Sequence, residues 1–189
     1  MARSLLFLWL ASCSMPVAGP PEGSADPWAP ALEAAARFHA SRQDALENWG
    51  EVRHPLLMKW IPDTRLYRRV RKHRPEGVGW GVSLLAKDGT VTDLGTFLNA
   101  HELLPGALRA ARARTDDDRI ELGRICVFIL RQYAEPEAAA KDPSAFQGEI
   151  RRTGSDLFVH FCHFLSMGDL EVWFAPEGRV ALVRGYRDV

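Results

Sequence analysis

Apolar side chains recur along this chain with two different periods, and the changes of period divide it into elements. Between Asp26 and Gly50, the residues Leu32, Ala35, Ala36, Phe38 and His39 follow helical spacing, and Asp26-Pro27-Trp28 ahead of them is a helix-start signal. The patch from Pro55 to Pro62 is apolar but short and bounded by proline, which predicts a packed connection rather than a long element. From Thr64 the period drops to two, with Leu66, Arg68 and Val70 alternating against Tyr67, Arg69 and Arg71 as in a strand. Gly77 and Gly79 interrupt before a second strand over Trp80 to Ala86. Lys87-Asp88-Gly89 then fits a three-residue hairpin loop, a type I turn closed by glycine in the left-handed conformation. It leads into a third strand from Thr90 to Leu94.

The helical period then returns. Asn99 with Glu102 three residues later resembles a capping box, for a helix through Leu103 and Leu104 that Pro105-Gly106 breaks or restarts before Ala107 to Ala113. Asp116-Asp117-Asp118 set three acids at the positive end of the strongest helix, Arg119 to about Tyr133. Ile120, Ile125, Phe128 and Ile129, flanked by Leu122, Cys126 and Leu130, give it a broad apolar face that belongs at the centre of the core. After a loop of Glu, Ala, Pro and Lys, the chain ends in a β-meander. Its parts are Leu157 to Leu165, a turn at Ser166-Met167-Gly168-Asp169, Leu170 to Ala175, a second glycine-closed loop at Pro176-Glu177-Gly178, and Arg179 to Tyr186. Leu157 to Leu165 is apolar on both faces and should be interior to its sheet. Counting outward from the turns sets Cys162 opposite Trp173 and Trp173 opposite Ala181.

These elements predict an α+β fold, antiparallel meanders packed against about three helices on one face of the sheet. The element order is similar to that of cystatin-like or NTF2-like domains, a fold-level analogy that assigns no function. Each half reads as a helix followed by antiparallel strands with matching loops, as a diverged duplication would leave them, although the side chains do not otherwise align.

Composition narrows the class without naming a function. Basic and acidic side chains balance at 24 each, so net charge makes no case for a nucleic-acid partner, and none is expected. The apolar fraction of 47% is that of a globular domain, and the length suits one core better than two. Residues 27–189 therefore read as a single domain, preceded by a Pro/Gly/Ser-rich tether over 13–26.

The first thirteen residues carry an address. Arg3 supplies a positive charge, Leu5 to Leu10 a short apolar run, and Leu10-Ala11-Ser12-Cys13 resembles a bacterial lipobox. By that resemblance residues 1–12 are a signal peptide, and Cys13 becomes the acylated mature N-terminus of a lipoprotein. The protein would then be a lipid-anchored member of the cell envelope, facing the periplasm or the cell surface. The run is shorter than the roughly 20 residues needed to span a bilayer. An ordinary secretory signal is the competing reading. It is opposed by Pro16 and Pro20 around the other small-residue site, Val17-Ala18-Gly19.

Candidate chemistry is sparse. Imidazole nitrogen and thiolate sulfur suit zinc or copper, and His160, Cys162 and His163 are the one cluster of that kind. Strand alternation sends His160 and Cys162 to one face and His163 to the other, so at most two ligands meet one ion. No metal site or cofactor is assigned, and His160 and Cys162 stay weak candidates. Cys126 and Cys162 both sit in apolar stretches and read as buried thiols, with a disulfide the alternative in an exported compartment. Arg65, Arg68, Arg69, Arg71 and Lys72, with Arg74 beyond them, form a basic run able to meet an anionic envelope component, yet alternation divides it between two faces. His101 is next to Glu102, to which the proposed capping box already gives a structural role. Trp28, Trp49, Trp60, Trp80 and Trp173 serve packing or the lining of an apolar pocket.

No catalytic residue is assigned. The expected function is a non-catalytic binding or scaffolding domain on the cell envelope. Its partners would be the membrane through the anchor, an envelope protein or an anionic envelope component. The alternatives are a small-ligand module with a pocket between sheet and helices, and a metal- or thiol-dependent enzyme using His160 and Cys162.

Overall fold

The computed structural model describes residues 26–40, 50–73, 77–133, 142–165 and 168–187, with the backbone alone at 39–40, 69–73, 77–79, 144, 163–165 and 186–187. Cys13, the signal and the tether up to residue 25 lie outside the described residues, as do Trp49 and Arg74. Among the described residues no helix is long and apolar enough to cross a membrane.

The class is α+β, and the described residues form two four-stranded antiparallel sheets and four α-helices. The order is α1 (Ala29–Ala40), β1 (Gly50–Val52), α2 (Pro55–Trp60), β2 (Thr64–His73), β3 (Gly77–Ala86), β4 (Val91–Asp93), α3 (Phe97–Ala107) and α4 (Asp116–Arg131). A 3₁₀ turn (Pro143–Ala145) then leads to β5 (Gly148–Thr153), β6 (Asp156–Leu165), β7 (Gly168–Phe174) and β8 (Val180–Arg187). Each sheet is a plain meander, β1-β2-β3-β4 and β5-β6-β7-β8. The arrangement is compatible with the cystatin- or NTF2-like character of the element order, but the strands divide into two sheets rather than forming one.

Local chemistry explains most boundaries. Asp26 Oδ1 accepts from the Trp28 N–H at 3.0 Å and starts α1. The Pro55–Pro62 patch contains a short helix, α2, whose free N-terminal donor at Leu56 is met by His54 Nδ1 at 3.2 Å. The cap of α3 is Thr96, not Asn99, and Pro105 sits in the last turn without ending the helix before Ala107. A proline there forfeits one backbone bond, which the last turn tolerates better than the middle. α4 starts three residues earlier than its apolar face implies. Thr115 Oγ1 accepts from the Asp118 N–H and Asp118 accepts from the Thr115 N–H, a complete capping box. Gly77 and Gly79 are inside β3 rather than ahead of it.

The two glycine-closed hairpins form as predicted and are built alike. In the first, the Gly89 N–H donates to Ala86 O and the Ala86 N–H to Thr90 O, with Gly89 at φ +89°. In the second, the Gly178 N–H donates to Ala175 O and the Ala175 N–H to Arg179 O, with Gly178 at φ +81°. Both glycines occupy the left-handed region that side chains avoid.

One core joins the inner faces of both sheets to α2, α3 and α4 through Leu57, Leu66, Val82, Leu84, Leu104, Ile125, Ile129, Val159, Phe161 and Leu170. A second cluster lies on the other face of the first sheet, where Trp28 and, from α1, Ala31 and Ala35 cover Tyr67 and Leu85. The first sheet is thus covered on both faces. Among the described residues the second has helices, α3 and α4, on one face only, with Gly123 of α4 against Val159 and Phe161 and His101 of α3 against Gly185.

Strand β6 is interior, between β5 and β7, but its neighbours differ from those counted out from the turns. Trp173 faces Phe158, not Cys162, and Leu182, not Ala181. Opposite Phe158 the difference comes half from pairing that already begins at Leu165–Gly168 and half from a register shift between Phe161 and Leu165, and opposite Leu182 it comes from a shift between Trp173 and Phe174.

Candidate functional site

The outer face of the second sheet, which no described helix covers, is set by how β6 fits against α4. Val159 and Phe161 point into the core and are fully buried. The Phe161 ring occupies space that only glycine leaves free on two neighbours. A Cβ at Gly123 of α4 or at Gly148 of β5 would lie 2.7 or 2.8 Å from its ring carbons. That fit pins the register, because a slip of one residue would turn Phe161 outward. Alternation then forces Phe158, His160 and Cys162 onto the outer face, beside Glu149 and Arg151 of β5 and Asp169, Glu171 and Trp173 of β7.

Three of these side chains converge. His160 Nε2 is 2.9 Å from Asp169 Oδ2, and Cys162 Sγ is 3.8 Å from His160 Nδ1. One ligand atom from each lies within 4.8 Å of the others. His160 is only 7% exposed, whereas Cys162 is exposed. An ionised carboxylate can only accept, so Asp169 places the ring proton on Nε2 and turns Nδ1 toward the sulfur. Asp169 carries no signal in the sequence, where it falls in the turn at Ser166-Met167-Gly168-Asp169. In the structure Gly168 already pairs with Leu165, which brings Asp169 into β7. His163 continues the strand, with its side chain outside the described residues.

A groove of about 620 Å³ opens beside this group, lined by residues 145–149 with His160 and Cys162. Its wall is fixed from α4, whose Arg124 Nε donates to Phe146 O at 3.0 Å and whose Arg131 guanidinium lies 4.7 Å from the Phe146 ring centre. Glu149, directly opposite His160, accepts from Arg151 at 2.8 and 3.1 Å, and this contact holds its carboxyl below the usual range. Farther along the same face Trp173 stacks on Phe158 at 4.4 Å and donates to Glu171 at 3.0 Å. β5 itself was invisible in the sequence, since Gly148–Thr153 holds a single large apolar residue, Ile150.

The remaining candidates fall elsewhere. Cys126 is buried in α4, and burial pushes its thiol up to about 12, as expected of an inert packed cysteine. Cys162 is exposed rather than buried, on the sheet face turned away from α4, and both cysteines are free thiols. Arg65 and Arg68 lie on opposite faces of β2. Arg65 pairs with Glu51 at 3.6 Å and covers the Trp28 ring at 4.2 Å, while Arg68 covers Trp80 at 3.6 Å. The side chains of Arg69, Arg71 and Lys72 are outside the described residues. His101 holds Phe97 O at 3.0 Å and meets the Phe97 ring edge-on, and burial lowers its pKa, so its place is in packing. The described tryptophans do not converge on a pocket. Trp28 packs under α1, Trp60 donates to Glu121 at 3.0 Å, and Trp80 and Trp173 lie on different sheets.

No family model, curated protein or solved structure matches this chain.

Proposed function

We propose that this protein is a lipid-anchored component of the bacterial cell envelope, held to the membrane through Cys13, whose folded part is a binding domain rather than a catalyst. Its binding site is the groove over His160 and Cys162. The observation that carries this reading is a buried imidazole, oriented by Asp169, at the edge of an open groove of about 620 Å³. Ligand sites are concave, of a few hundred to about a thousand Å³, with a small number of fixed polar groups. The features named account for binding without an added chemical step. The groove is also favoured over the basic run, because Arg65 and Arg68 are engaged with Glu51, Trp28 and Trp80 inside the molecule. It lies on the face of the second sheet opposite α3 and α4, not between that sheet and its helices.

Two measurements test the reading. The intact mass of protein from the membrane fraction should correspond to a chain beginning at Cys13 with added acyl mass, and Cys13→Ala should lose it. A chain still beginning at Met1 without acyl groups would remove the anchor. For the groove, small polar ligands should be screened by thermal melting of the full Cys13→Ala chain. A ligand that raises Tm in this protein and not after Glu149→Ala or Cys162→Ala supports the site, and one that raises all three equally argues against it.

A further inference from the structure

We infer that His160 and Cys162 bind a thiophilic metal ion of the zinc type, an inference that rests on the groove being a binding site and names what it binds first. The geometry carries it. A tetrahedral zinc with sulfur at about 2.3 Å and nitrogen at about 2.0 Å sets those two donors about 3.6 Å apart. Cys162 Sγ and His160 Nδ1 stand 3.8 Å apart, so one ion bridges them with a shift of a few tenths of an ångström.

The neighbouring carboxylate fits the same role. Metal-binding histidines characteristically give their second ring N–H to a carboxylate, which fixes the tautomer and aims the free nitrogen. Asp169 Oδ2, 2.9 Å from His160 Nε2, makes that contact. Asp169 is therefore a positioning residue rather than a ligand, since it meets Nε2, the ring nitrogen on the far side from the one that faces Cys162. His160 is held by burial and by this bond, while Cys162 is open to the groove through which an ion arrives.

Binding replaces the S–H bond of Cys162 by an S–metal bond, and the thiol proton passes to solvent. Two donors among the described residues leave a four-coordinate ion with open positions. These face the groove, next to the carboxylate of Glu149. A ligand with its own metal-binding atoms, such as a carboxylate or amine, would complete the shell, so the ion acts as the handle by which the groove holds its ligand.

The test uses the full chain carrying Cys13→Ala, which leaves Cys126 and Cys162 as its thiols, titrated with Co²⁺ as a coloured stand-in and then with Zn²⁺ in competition. The expected result is a near-ultraviolet thiolate-to-cobalt absorption band that Zn²⁺ abolishes. Cys162→Ser should lack the band while melting like its parent. Asp169→Asn should keep the band at saturating metal but need about 10- to 100-fold more of it, a split that a purely structural role for Asp169 would not produce. His160→Gln should lose binding. If that variant fails to fold, Cys162→Ser still decides, because its side chain is exposed. Equal Co²⁺ or Zn²⁺ affinity in Cys162→Ser, or no binding by the folded parent, overturns the inference. Should metal fail to bind while small ligands still raise Tm in a groove-dependent way, the binding reading of the groove survives without it.

Discussion

The two sheets share a plan and differ in what covers them. Each is a four-stranded meander whose last hairpin closes on a left-handed glycine with the same pair of backbone hydrogen bonds. In the first, alternate residues of β2 and β3 serve two clusters, Leu66 and Leu84 toward the common core and Tyr67 and Leu85 toward α1. In the second, Val159 and Phe161 face the core, while His160 and Cys162 face a groove. A strand buried on both faces has its alternate positions committed to packing. A sheet covered on one side can place an imidazole and a thiol on the other without cost to its core. Among the described residues α1 is thus what commits the outer positions of the first sheet to packing, and no helix does the same for the second.

The largest expected effect tests where the two sheets are equivalent. Phe161→Asp, or Ile129→Asp in the same cluster, places a charge in the shared core and should cost about 4 kcal/mol or more in urea unfolding. A variant that keeps the parent midpoint would show that the inner face of the second sheet is not core. The sharper contrast comes from the outer faces. Leu85→Ala, under α1, should lose about 2 to 4 kcal/mol, whereas Cys162→Ala, on the open face, should change stability by less than about 1 kcal/mol. Comparable losses would mean that the second sheet is covered after all.

The hairpins give the next contrast. A Cβ at Gly178 would run into the Ala113 carbonyl, and the Ala113 N–H already donates to Gly178 O at 2.8 Å, so backbone packs on backbone there. At Gly89 the added methyl would meet Ala34 Cβ of α1 at an ordinary 3.4 Å. Both substitutions incur left-handed strain of about 1 kcal/mol, and Gly178→Ala should cost at least about 1 kcal/mol beyond that. Similar Tm losses for the two would contradict the tight contact at Ala113.

The smallest effects concern the start of α4, which links the halves. Thr115→Ala removes a cap worth about 1 kcal/mol. Hydrogen bonds from the Arg114 and Thr115 backbone hold the Asp118 carboxyl below its ordinary value of 3.8. Because the folded value is depressed, this contribution is complete above 3.8 and is lost as pH falls through the folded value. Asp118→Asn should therefore flatten the acid side of the stability curve, measured as the urea midpoint between about pH 6 and pH 3. An unchanged acid slope would mean that the capping box does not hold in solution.

Features governed by neighbours in the chain were legible in the sequence alone. The α4 face, the three acids at its start, both glycine-closed loops and the interior place of β6 follow from periodicity, capping and the left-handed preference of glycine, all of which act within a few residues. So did the shared face of His160 and Cys162, because strand alternation is local. What depends on distant partners was not legible. β1 and β5 are short or charged edge strands whose pairing is supplied by β2 and β6 rather than by their own composition. The register of Trp173 was decided by pairing that begins at Leu165–Gly168 and by bulges, and the outward place of Cys162 by Phe161 fitting against Gly123 and Gly148. Asp169 joined the site only because pairing at Gly168 carried it out of the turn and across to His160. A hydrogen bond between strands has no period in either strand's sequence. It exists once the core has chosen the register, and the core was chosen by tertiary packing.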